Sequence, residues 1–171
     1  MIFKKKCSFS PASFISFILI LDGCSGEKTR LWQFPVKLGD SKEEVQLLLG
    51  KPQYKLPKST IEWYCDSGVS IEYDDFGHVF QINFTGPKVP EAVHLGCVWE
   101  PTNRKIVHGI SVFMNKREIY EILGNPDNFE EPVFQSLDKV HVWRKPDFLI
   151  KIEFWKDKDL ISQISVRKII S

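Results

Sequence analysis

The chain has 171 residues, 23 Lys and Arg against 22 Asp and Glu, 43% apolar and 13% aromatic content. That length suits one medium domain or two small ones, and the aromatic content excludes a disordered chain. The near-zero charge argues against a nucleic-acid binder. No apolar run reaches the ~20 residues of a spanning helix, which excludes a polytopic membrane protein.

Lys4, Lys5 and Lys6 open the chain, an apolar run follows over residues 14–21, and Gly23-Cys24-Ser25-Gly26 closes the segment. A basic start, a short apolar run and small residues at a cleavage point make a secretory signal. Leu21-Asp22-Gly23-Cys24 resembles the bacterial lipobox, with Leu three residues before the Cys and Gly immediately before it. The resemblance implies diacylglycerol on the Cys24 thiol, which becomes the mature N-terminus. A plain secretory signal, or a buried N-terminal helix, is the alternative. Residues 1–23 are thus the signal peptide and 24–35 an N-terminal tether. Cleavage removes Lys4, Lys5, Lys6 and Asp22, leaving 20 basic and 21 acidic residues. Such a surface has no electrostatic pull toward anionic lipid or DNA, so any membrane attachment falls to the lipid.

Ser41 with Glu44, followed by Val45, Leu48 and Leu49 and stopped by Gly50 and Pro52, predicts a capped helix of two to three turns. Residues 61–64, 69–73 and 79–84 then alternate, are rich in β-branched and aromatic side chains, and are separated by turn residues; they predict a three-stranded meander. Cys65 and Cys97 remain as one pair once Cys7 leaves with the signal and Cys24 takes lipid. In an oxidising compartment they are disulfide candidates; the alternative is two unrelated buried thiols. Residues 87–106 read as a linker.

The pattern then recurs. Asn115 with Glu118, then Ile119, Ile122 and Leu123, then Gly124 and Pro126, predicts a second capped helix. Residues 141–144, 150–154 and 161–166 follow as strands, with Trp143 lying over Trp63 in the alignment. The expected fold is therefore α+β, two tandem helix-plus-antiparallel-meander repeats at 36–86 and 107–169. Their helices cover one face of the sheet, and the two copies share a core. Phe80, Ile82, Phe84, Ile150, Ile152, Phe154, Ile164 and Val166 are expected inside, with the helix leucines packed on them. The opposite parity presents Glu62, Ser70, Tyr64, Glu72, Gln81, Asn83, Lys151, Glu153, Trp155, Gln163 and Arg167. That set is either a recognition surface or an ordinary solvated sheet face. Tyr64, Trp155 and Arg167 are of the types that dominate binding hot spots.

The string Leu38-Gly39-Asp40-Ser41 through Leu49-Gly50-Lys51-Pro52, then Trp63-Tyr64 and Val69-Ser70-Ile71-Glu72-Tyr73-Asp74-Asp75-Phe76-Gly77, resembles the BamE (SmpA/OmlA) family. The resemblance implies a small outer-membrane lipoprotein with a helix followed by an antiparallel sheet. Two copies in one secreted chain are also similar to the tandem architecture of β-lactamase inhibitor proteins, whose concave sheet grips an enzyme. The second copy lacks the Gly-Asp before its helix and the Tyr after Trp143.

His78, His94, His108 and His141 show no metal-ligand spacing, no C-x-x-C pair is present, and no nucleophile elbow, P-loop or dinucleotide fingerprint occurs. The reading is a non-enzymatic protein without metal or cofactor. It sits in the bacterial cell envelope, lipid-anchored at Cys24 and facing the periplasm, at the outer membrane rather than the inner. It binds an envelope or periplasmic protein as a scaffold or assembly factor. The alternative is a periplasmic inhibitor or immunity protein that blocks one enzyme or toxin.

Overall fold

The computed structural model describes residues 32–87, 99–156 and 158–170. Helix α1 (Lys42–Leu49) starts where the Ser41 hydroxyl accepts from the Glu44 N–H at 3.3 Å and the Glu44 carboxylate accepts from the Ser41 N–H at 2.7 Å. Helix α2 (Lys116–Leu123) starts the same way on Asn115 and Glu118, at 2.9 and 2.8 Å. Each capping box satisfies donors that the first turn leaves open. Eight residues present only a narrow apolar stripe, so Val45 and Ile119 are fully buried while Leu48 and Ile122 stand in solvent. Of the helix leucines expected on the sheet, Leu49 and Leu123 pack against the core, whereas Leu47 and Leu48 are exposed, which corrects that expectation in part.

Between and after the helices run β1 (Tyr54–Lys55), β2 (Ile61–Tyr64), β3 (Val69–Tyr73), β4 (Val79–Thr85), β5 (Asn128–Glu130), β6 (Val140–Arg144), β7 (Phe148–Phe154) and β8 (Ile161–Lys168). They form one antiparallel sheet in the order β1-β2-β3-β4-β8-β7-β6-β5. This corrects the expected fold class. The chain is not two tandem helix-plus-meander repeats but a single eight-stranded sheet carrying two short helices. The physical reason lies at the centre. An independent meander would leave β4 or β8 as a long apolar edge, which invites further pairing. Here the two pair with each other, from Gln81 opposite Arg167 to Thr85 opposite Gln163. The remaining edges, β1 and β5, are two and three residues long.

Register also separates the halves. Trp63 pairs with Ser70, whereas Trp143 pairs with Ile150, so the two tryptophans that align in sequence point to opposite faces. Ile82, Phe84, Ile150, Ile152, Phe154, Ile164 and Val166 are all buried as expected. Phe80 is not. It is the extra residue of a bulge between the Glu72–Gln81 and Tyr73–Val79 pairs, and it stays half-buried beneath the Arg167 guanidinium at 4.7 Å. Chain outside the meanders completes the core. Phe34, Val36, Ile106, Ile110 and Val112 are buried, and the Phe34 ring meets Phe84 edge-on at 4.9 Å.

Candidate functional site

The two faces of the sheet differ in chemistry. On the helix side, β2 contributes Glu62 and Tyr64, both about 1% exposed. This corrects the parity expected for the pair, and with it the placement of Tyr64 on a partner-binding face. Two adjacent alternating sets, Ile61 with Trp63 and Glu62 with Tyr64, could each have faced the core. The charged set goes in because cations await it there. The Glu62 carboxylate accepts from Lys42 at 2.5 Å, from Lys55 at 3.2 Å and from the Tyr64 hydroxyl at 3.1 Å. Burial alone would push the Glu62 carboxyl up, but the bonds from Lys42 and Lys55 hold it below its ordinary value. Burial, with the Glu62 charge adding to it, pushes the Tyr64 phenol up to about 12, and Tyr73 behind it is raised as well. The phenols therefore act as hydrogen-bond donors within a closed cluster. Tyr64→Phe removes one of Glu62's donors without opening space, and an expected loss of about 1–2 kcal/mol is read from urea melts.

In the second half, His141 holds the corresponding buried place. Its Nδ1 lies 2.7 Å from the Tyr120 hydroxyl, and the rings of Phe129 and Phe154 stand edge-on at 5.0 Å. Burial pushes the imidazole down to about 4, with the Lys116 charge helping. Tyr120, beside His141, borders an open surface depression together with Lys116, Arg117, Glu121 and Asp159. Among the described residues, no three His, Cys, Asp or Glu side chains converge as a metal-ligand set.

The open face is where the other expected residues meet. Three rows cross it. Trp63, Ser70, Asn83, Ser165 and Lys151 are successive partners from β2 to β7. Beside them run Ile61, Glu72, Gln81, Arg167 and Leu149, and on the other flank Thr85, Gln163 and Glu153. At the central seam Asn83 is a hub. Its Oδ1 accepts from Gln81 and from Ser165, each at 2.7 Å, and its amide donates to Ser70 at 3.2 Å. Gln163 donates to Ser165 at 2.8 Å. Side chains tied in this way across three strands are held in place before any partner arrives. Lys151 is drawn aside into an ion pair with Glu130 at 2.6 Å.

Trp155 lies just past β7, bridged to Leu137, and is half-buried rather than freely presented. Its indole N–H is buried without a hydrogen-bond partner among the described residues. The same is true of Trp99, which the sequence reading left unassigned in the linker. Trp99 and the chain around Phe134 to Leu137 fold over the flank of the open face, and with Trp63 and Glu153 they enclose a cavity of about 130 Å³. Burial pushes the Glu153 carboxyl above its ordinary value. Sequence reasoning found Glu153 and Gln163 but missed the aromatic walls. Placing Glu62 and Tyr64 on the outward parity left Trp63 out of that face, and Trp99, Phe134 and Ser136 lie on irregular chain that carries no periodic signal.

Cys65 is fully buried and disulfide-bonded. Its expected partner Cys97 lies outside the described residues, as do the lipidation site Cys24 and the signal peptide. No helix among the described residues is long and apolar enough to cross a membrane.

No family model and no curated protein matches the chain. A crystal structure of a DUF4309 family protein (YjgB) from Bacillus subtilis is similar, with a TM-score of 0.52 and 12% identity over 76% of this chain and 79% of that one. At that identity the likeness concerns the fold alone.

Proposed function

We propose that the protein is a non-enzymatic envelope lipoprotein, held by lipid on Cys24, that acts by binding a protein partner through the open face of its sheet. One observation supports this reading: the seam network centred on Asn83 fixes polar side chains across β3, β4 and β8 on a face that no helix among the described residues covers. Rigid strands place contact groups more accurately than loops, and fewer rotamers remain to be frozen on association. Trp63 stands at one end of this face and Arg167, laid over the Phe80 ring, at another. Both are of the residue types that anchor interfaces. The scaffold or assembly role and the outer-membrane location rest on the resemblance of the Leu38–Tyr73 region to BamE proteins and of residues 21–24 to the lipobox.

The test is affinity capture from envelope extract by the full chain, compared with Trp63→Ala and Arg167→Ala. Each truncation is expected to weaken capture of the identified partner about thirtyfold, the equivalent of ~2 kcal/mol. Melting temperatures should stay within a few degrees of the parent, since neither side chain belongs to the core. Unchanged capture in both variants would place the interface elsewhere. Labelled palmitate incorporated by the parent and lost in Cys24→Ala checks the anchor.

A further inference from the structure

We infer that the surface formed by α1 and the chain over residues 32–38 rests on the membrane interface, so that the anchored domain holds its open sheet face away from the bilayer. The inference rests on the proposed lipid at Cys24 and adds the protein surface that meets the membrane.

Leu47 is 86% exposed and Leu48 50%. Exposed leucines scattered singly are ordinary, but these two belong to a continuous strip. They line one surface depression together with Pro35 and Lys37. Lys37 also lines the next depression, which is walled by Trp32, Leu38 and Phe148. The two hollows therefore meet along residues 32–38.

The strip lies at the root of the anchor. Cys24 precedes Trp32 by eight residues, so a lipid on its thiol stands within about 29 Å of Trp32 even at full extension of the chain between them. A short linker of this kind presents the bilayer to the strip at an effective concentration of roughly millimolar. A few apolar side chains then suffice for contact, although alone they would not hold a protein on a membrane.

Charge selects the same occupant. Lys37 and Lys168 line the two depressions against Asp40, Glu44 and Asp147. A strongly acidic or strongly basic peptide would meet like charge on this rim. A zwitterionic headgroup finds a partner for each of its charges, with phosphate at the lysines and ammonium at the carboxylates. The Lys37 stem can lie along the apolar strip while its ammonium reaches the headgroups.

The helix also fixes the orientation. Val45 buries one side of α1 in the core, and Lys42 on the same helix reaches Glu62 on the helix side of the sheet. Leu47, about 200° further round the helix from Val45, points away from the sheet. With Leu47 on the bilayer, the Asn83 network faces away from the membrane and stays open to a partner.

The test reconstitutes the full lipidated chain in phosphatidylcholine vesicles whose acyl chains carry a photoactivatable diazirine, and maps the adducts by peptide mass spectrometry. Adducts are expected on residues 32–38 and 42–49 and not on residues 79–85 of β4. A double variant, Leu47→Glu with Leu48→Glu, changes two exposed positions. It should cut the adducts on residues 32–49 about tenfold, with Cys24 still acylated and the melting temperature within a few degrees of the parent. Lipid on Cys24 with adducts on β4 instead, or on neither region, overturns the inference and leaves the anchor standing. An unchanged yield in the double variant does the same. Cys24 without lipid overturns the anchor and this inference with it. Sedimentation that shows a dimer dissociated by the double variant would assign the strip to a second copy of the chain, which also overturns the inference.

Discussion

Gly86→Ala lowers the stability of the whole sheet by about 3 kcal/mol, a fall of roughly 6–12 °C in melting temperature. Gly86 follows β4 at the central seam, where its N–H donates to the Ser162 carbonyl at 2.7 Å. A Cβ built there would stand 2.0 Å from the Ile161 carbonyl oxygen and 2.8 Å from its carbon. Both are backbone atoms of the partner strand, so no rotamer change relieves the overlap. Only the seam can move. Opening it loosens the pairing between β4 and β8 and exposes Phe84 and Ile164, which lie opposite each other across it. Gly77 is the control. Its φ of +78° also favours glycine, but an added Cβ meets nothing within 4 Å. Gly77→Ala should therefore cost only the backbone strain, about 1 kcal/mol. Calorimetric melts of the two variants compare them directly. Equal losses would mean that the seam is not the tight contact that joins the halves.

The contrast between local and long-range signals explains what the chain discloses before folding. Both helices were legible because Ser41 with Glu44, and Asn115 with Glu118, write the start signal in four residues, and Gly50 and Gly124 write the stop. Most of the strand cores were legible because one parity of β7 is apolar throughout and the same holds for Ile82 and Phe84 in β4 and for Ile164 and Val166 in β8. β2 was not. Its four residues offer one aromatic and one other residue on either face, and only the positions of Lys42 and Lys55, fixed by tertiary structure, decide for Glu62 and Tyr64. Likeness between the two halves misled in the same place, since it paired Trp63 with Trp143. Nor could local pattern reveal that β4 and β8 join into one sheet, because that choice depends on which edges are left unpaired. The open face was legible in part: Gln81, Asn83, Gln163 and Glu153 follow from alternation. The cavity walls did not, because Trp99 and Phe134 reach it from chain with no period.

Acidification from pH 7 to 4.5 should remove about 2.5 kcal/mol of stability through His141 alone. The imidazole is about 2% exposed, surrounded by Tyr120, Phe129, Trp143 and Phe154, and burial holds it at about 4 rather than 6.5. Between those values the unfolded chain binds a proton that the folded chain refuses. Stability therefore rises with pH across the window, is fully present above 6.5 and is largely lost by 4.5. Lys116 deepens the refusal, whereas Asp138 works against it. The Asp138 carboxyl, held low by the Lys116 ammonium at 2.9 Å, gives up its own contribution only below its ordinary value of 3.8. Glu153 acts in the opposite sense. Burial raises its carboxyl, so the folded chain takes up a proton there above 4.5 and gains stability on acidification. The difference between the parent and His141→Gln isolates the histidine, because Gln keeps a polar group beside the Tyr120 hydroxyl and does not titrate. Urea melts at pH 7, 5.5 and 4.5 should show the parent losing stability faster than the variant, by about 2.5 kcal/mol at the lowest pH. Parallel curves would mean that water or a rearranged Tyr120 solvates the imidazolium, and that the pocket around His141 opens without cost.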